Sequence, residues 1–182
     1  MRINTYTKRE DLSETLRKIE LSLEALNSIK DKGFKTINDA FLSVVKNQLT
    51  IRELDKFSKL FGERAIIKKD SWSWDMYSKN TLSYRYINLY IDNLKIGQFT
   101  IDRFNKIERH YVGNSYNLEE HTIQNLIKAN EEYLQRLKHQ LDFEAEIDRR
   151  IKDYEKYIET KVNEAYQLYI KDIEDLVYSR SI

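Results

Sequence analysis

Two apolar seams in the last third of this chain limit its fold more than any other feature. Residues 118–177 contain Ile123, Ile127, Asn130, Leu134, Leu137 and Leu141, then Ile147, Ile151, Tyr154, Ile158, Val162, Ala165, Tyr169, Ile173 and Leu176. Both series recur at a mean of about 3.6 residues, the period of a straight α-helix rather than the 3.5 of a long left-handed coiled coil. Asn117 and Glu120 supply a start signal for this arm. Between the seams Leu141 is followed by a gap of six, with Glu144 where an apolar residue belongs. An unbroken helix of about 60 residues would span roughly 90 Å. The arm is therefore expected either to bend near Leu141–Glu146 as a helical hairpin or to run on and pair with another chain. The absence of Gly and Pro at the break opposes a tight turn. Glu132/Arg136, Glu146/Arg150 and Asp148/Lys152 are four-residue ion pairs in the favourable order and suit a solvated outer face.

The first 62 residues read as three capped helices. Thr7–Glu10, Thr36–Asp39 and Thr50–Glu53 mark their starts. Leu12, Leu16, Ile19, Leu23 and Leu26 share one face of the first helix, and Gly33 ends it. Ile37, Phe41, Val44, Val45 and Leu49 point inward from the second. Leu54, Phe57 and Leu60 do so from the third, which Gly62 closes.

From residue 63 the period shifts from 3.6 to 2. Tyr84–Ile91 alternates, Asp92-Asn93 offers a two-residue turn, and Leu94–Ile101 continues, so that Ile91 faces Leu94, Leu89 faces Ile96 and Tyr86 faces Phe99. Trp72–Tyr77 also alternates and joins through Lys79-Asn80. The expected fold is α+β and mostly α: an N-terminal helical part (1–62), an antiparallel three-stranded meander (63–113) and a long C-terminal helix or helical hairpin (114–182). His110–Tyr116 reads as a loop.

In this register one sheet face carries Ile87, Leu89, Ile91, Leu94 and Ile96, an ordinary core face, with Trp72 and Trp74 on the same side. The other carries Tyr84, Tyr86, Tyr90, Lys95 and Phe99, with Arg103 near its edge. Those six residues are the candidate binding site, because aromatic rings beside cations suit protein interfaces and can stack on unpaired bases. The competing reading is that this face packs under the arm.

The motifs absent from the chain exclude much. There is no cysteine, hence no disulfide, thiolate nucleophile or thiolate zinc site. The four glycines stand singly, so no phosphate-binding glycine loop exists. No nucleophile elbow or H-E-x-x-H occurs, and no cofactor, catalytic set or metal site is expected. His139, Asp142 and Glu146 have helical spacing but read as a solvated face, and Glu144 reads as a structural ion-pairing group at the break. The 31 basic and 30 acidic residues nearly cancel. They divide unevenly, with a net +5 over residues 33–113 and −5 over 114–182. No apolar run suits a membrane span or a signal peptide, so the expectation is a cytoplasmic protein without membrane contact. Richness in Lys, Ile, Asn and Tyr suggests a low-GC bacterial or phage-like genome.

Leu49–Leu54 with Phe57, Leu60, Gly62 and Ala65-Ile66 resembles the helix-turn-helix of bacterial repressors, but no basic recognition helix follows. In size, charge and lack of enzyme motifs the whole chain is similar to small anti-defence proteins of phages and mobile elements, especially anti-CRISPR inhibitors. That resemblance implies a non-enzymatic, stoichiometric binder that blocks a Cas nuclease or its nucleic acid. The expected partner is then a protein, such as a Cas effector complex, whose basic channel the acidic arm occupies. Nucleic acid is a further candidate partner, and homodimerisation through the arm another. The alternative function is a nucleic-acid-binding accessory or regulator. The third is an enzyme of nuclease type, or a partner-dependent cleavage factor, whose carboxylates meet only in three dimensions.

Overall fold

The computed structural model describes residues 9–46, 49–73, 84–102, 104–115 and 121–179. The chain is α+β and mostly helical, in the order α1 (Arg9–Asp31), α2 (Ile37–Val44), α3 (Ile51–Ser58), a 3-10 turn (Lys59–Phe61), β1 (Ala65–Ser73), β2 (Tyr84–Ile91), β3 (Leu94–Ile101), β4 (Ile107–Val112) and α4 (Ile123–Ser179). It divides into two units, residues 1–138 and 139–182.

Helix starts in the first unit follow the capping chemistry. Thr36 and Thr50 each accept a backbone N–H three residues on, and Asp39 and Glu53 accept the N–H of the capping threonine in return. Thr7 lies outside the described residues, as do Asn117 and Glu120. Gly33 and Gly62 leave their helical segments at positive φ, where a Cβ would be strained.

The sheet is a fully antiparallel meander in the order β1-β2-β3-β4, with four strands rather than three. Asp92 and Asn93 both have positive φ, as the expected two-residue turn demands, and Ile91 does pair with Leu94. Beyond the next pair, Tyr90 with Lys95, the register slips by one. A bulge between Leu89 and Tyr90 sets Tyr90 opposite Lys95 but Leu89 opposite Gly97, so Ile96 is the extra residue. Tyr86 consequently faces Thr100, and Ile87 faces Phe99. Such a slip turns the following side chains to the opposite face. Gly97 marks the place: a Cβ there would meet the Tyr111 carbonyl at 2.8 Å.

The first strand begins at Ala65, earlier than Trp72. Trp74 and the Lys79-Asn80 turn lie outside the described residues, as does the Trp72 side chain. The fourth strand occupies part of the stretch expected as loop and starts from a turn in which the Asp102 carboxylate accepts the N–H groups of Phe104 and Lys106.

Helices α1–α3 and the sheet share one core. Ile87, Leu89, Ile91, Ile96, Phe99 and Ile101 from the sheet meet Leu26, Ile29, Phe41 and Phe57 from the helices. Phe57 is the centre of an aromatic group, with ring centroids 5.1 Å from Phe41, 5.1 Å from Phe61 and 5.6 Å from Phe99. After α3 the chain passes into the 3-10 turn and β1, so no recognition helix follows the repressor-like segment.

The first turns of α4 close this core. The Ile123 N–H donates to the Lys35 carbonyl at 2.8 Å, and Ile123, Leu126 and Ile127 are buried. Asn130, the polar member of the first seam, is fully buried. Its amide donates to the carbonyls of Val112 and Leu126 and to Ser115 Oγ, while its oxygen accepts the Asn114 N–H. Gly113 sits against it at φ +73, and a Cβ there would overlap Asn130 Oδ1. Gly113→Ala should therefore destabilise the first unit by about 2 kcal/mol or more, combining backbone strain with a displaced buried hydrogen-bonding group. Chemical denaturation of Gly113→Ala beside the wild type measures this, and an unchanged midpoint would refute the packing.

The hairpin alternative does not hold: residues 123–179 form one α-helix. Across the seam break, Gln140 donates to Glu144 at 3.0 Å and Arg150 pairs with Glu146 at 2.9 Å, so side-chain bonds bridge successive turns. Glu144 is thus held by an amide. It is Glu146, between Arg149 and Arg150, whose carboxyl is held below the usual range, chiefly by the Arg150 hydrogen bond.

Candidate interaction surfaces

The sheet surface gathers only part of the expected site. Tyr86 and Tyr90 are half-buried, and Lys68 Nζ of β1 stands 4.9 Å from the Tyr90 ring centroid, within cation–π range. Lys95 is the cross-strand partner of Tyr90. It also lies near Lys18 of α1, whose amine is pushed below its ordinary pKa by burial first and by the Lys95 charge second. Phe99 does not belong to this surface. It is fully buried among Phe57 and Phe61, because the bulge moves it to the core side. Tyr84 contributes backbone to β2, its side chain being outside the described residues, and Arg103 lies outside them altogether. Lys68 reaches this surface from β1, where alternation is weak. Its only signal in the chain was position beside an apolar pair, Ile66-Ile67.

At the end of the β2–β3 hairpin, Arg64 bridges Asp92 at 2.6 Å and Glu24 at 2.7 Å, with Arg17 3.7 Å from Asp92. These exposed pairs tie the turn to α1. Among the described residues no cluster of His, Asp or Glu is arranged to hold a metal ion, and no helix is long and apolar enough to cross a membrane.

The second unit consists of the α4 turns from His139 onward, and its surface is of another kind. The second seam is exposed along its whole length, from 39% at Ile173 to 70% at Tyr154. Phe143, Tyr157, Tyr166, Leu168, Val177 and Tyr178 are exposed as well. The first seam differs, with Ile123, Ile127, Asn130 and Leu137 buried. Exposed ion pairs, Glu146 with Arg149 and Arg150 and Lys161 with Glu164, decorate the remaining faces and each adds little to stability.

Comparison with protein-family models, with curated proteins and with solved structures returns no match to this chain.

Proposed function

We propose that this protein is a non-enzymatic binding or inhibitor protein whose contact element is the second half of α4. One observation carries the reading: an apolar stripe faces water from Ile147 to Leu176. An amphipathic helix ordinarily gains most of its stability by burying such a stripe. Large exposed apolar surface rimmed by charge marks an interaction site. The mode is that of a helix laid apolar side down on a partner. The net −5 over residues 114–182 favours a partner with basic surface around the contact.

The narrower form, a stoichiometric inhibitor of a Cas nuclease, is tested by titrating the protein into target-cleavage reactions. Inhibition should saturate near one equivalent and should be lost in the double variant Ile158→Glu/Val162→Glu. Both positions are exposed in the second unit, so the first unit should unfold as in the wild type. Absence of binding and inhibition across Cas effectors would sink the Cas form. Inhibition insensitive to the double variant would sink the assignment to α4.

A second reading, a nucleic-acid-binding accessory protein, is favoured by Lys68 over the Tyr90 ring within the basic middle of the chain. It requires binding to single strands that weakens steeply with salt. Equal affinity in the Lys68→Ala/Tyr90→Ala variant would remove it.

A further inference from the structure

The exposed seam is an 11-residue repeat. Ile147, Ile151 and Tyr154 recur eleven positions on as Ile158, Val162 and Ala165, and again as Tyr169, Ile173 and Leu176. Eleven residues over three turns is about 3.67 per turn, slightly above the straight-helix value, so a stripe kept in this repeat winds as a right-handed supercoil. The buried first seam steps instead by sevens, Ile123 to Asn130 to Leu137. The gap between Leu141 and Ile147 is where one repeat gives way to the other, and the Gln140–Glu144 hydrogen bond marks the polar start of the new stripe.

From this repeat and its charged borders we infer that the seam is covered by a second copy of this chain, lying parallel and in register. The inference rests on the reading of α4 as a contact element and names its first partner. Helical geometry sets Glu155 beside the stripe on one border, with Asp148 and Glu159 further out, and Arg150 and Lys161 beside it on the other, with Glu146 further out. In a parallel pair of identical helices, each border meets the opposite border of its neighbour, so the acidic row faces the basic row. An antiparallel pair centred on the seam sets Arg150 against Asp172 of the second copy, but sets Lys161 against Lys161. In the parallel pair Arg150 lies five residues before Glu155 of the second copy, the usual offset for pairing across a parallel seam.

These charges choose orientation more than they add strength. Arg150 and Lys161 already pair along their own helix with Glu146 and Glu164, and exchanging one exposed pair for another is close to neutral. In the third repeat the acidic border becomes apolar, with Ile170 and Val177, and Asp172 stands on the basic side. What favours the parallel pair is therefore the Arg150–Glu155 offset together with the Lys161–Lys161 encounter it avoids. The apolar area supplies the association. Burying nine seam side chains from each copy removes on the order of 1,000–2,000 Å² from water, within the range of specific stable interfaces.

The chain contains no cysteine, which makes the test direct. Light scattering of the full chain at tens of micromolar should give twice the 22.0 kDa monomer mass. The Ile158→Glu/Val162→Glu variant should give the monomer mass, with unfolding of the first unit unchanged. Single cysteines then read orientation. In a parallel pair, Ile147→Cys and Ile173→Cys each form a disulfide-linked dimer under mild oxidation. In an antiparallel pair centred on the seam those sites lie about 30 Å or more from their counterparts, and only Val162→Cys links. A monomer at 100 micromolar, a trimer or larger assembly, or linkage at Val162→Cys alone would each overturn the inference. A monomeric chain that still inhibits its target, and loses that inhibition in the double variant, overturns the second copy while leaving the binding function standing.

Discussion

Phe99→Ala should cost the first unit about 3–5 kcal/mol, a large share of the 5–15 kcal/mol that holds a domain of this kind folded. The side chain is fully buried and meets Phe57 edge-on at 5.6 Å and Phe61 at 5.7 Å. Truncation removes the transfer energy of the ring, leaves a cavity between α3 and the sheet, and deletes two ring–ring contacts worth up to about 1 kcal/mol each. Tyr90→Ala supplies the contrast, because Tyr90 is half-buried and its ring is met by the exposed Lys68. Its cost should be nearer 1 kcal/mol. Urea denaturation of the two variants beside the wild type decides the matter. Equal losses would mean that Phe99 and Tyr90 share one face after all, as an unbulged register would place them.

The contrast between those two residues shows what could be read from the chain. Capping threonines with their acidic partners are local signals, and Thr36/Asp39 and Thr50/Glu53 placed α2 and α3. Asp92-Asn93 is equally local, and it fixed the β2–β3 turn. A bulge is not local. The alternation of Leu89, Tyr90 and Ile91 fits either register, and the choice depends on how closely β4 approaches β3 at Gly97. The fourth strand was hidden for the same reason. A register shift between Thr100 and Ile101 breaks its alternation, so Ile107, His110 and Val112 are buried at uneven spacing. At the sheet edge β1 is masked differently: Lys68 and Lys69 follow two apolar residues, as suits an edge strand protected by charge. The seams of α4 were legible because helical period survives in any environment. Whether a seam is buried was not, since Leu137 and Ile158 obey the same pattern and only one is covered. For the sheet faces the outcome follows: the side taken by Tyr86, Tyr90 and Lys95 was within reach of alternation, and that taken by Phe99 was not.

A second large effect should appear on mild acidification, and it originates at His110. This residue lies opposite Phe99 on β4, is 8% exposed, and its buried Nε2 has no hydrogen-bond partner among the described residues. Burial is the larger cause, and the nearby His121 the lesser, of a pKa lowered to about 4 from the ordinary 6.5. Above pH 6.5 the ring is neutral in folded and unfolded chains alike, and its contribution to stability is fully present. As pH falls below 6.5 the unfolded chain takes up a proton that the folded chain refuses, so stability declines until the folded ring itself titrates near pH 4. The loss over that window approaches about 3 kcal/mol, with about 2 kcal/mol gone by pH 5. Other groups titrate in the same range, so the informative quantity is the difference from His110→Leu, which keeps an apolar side chain opposite Phe99. That variant should lose less stability between pH 7 and pH 5 than the wild type, by about 2 kcal/mol, in paired denaturation curves. Ring titration by nuclear magnetic resonance gives an independent reading: a His110 midpoint near 6.5, or parallel pH profiles for the two proteins, would show that the imidazole is hydrated and that β4 does not seal this edge of the core.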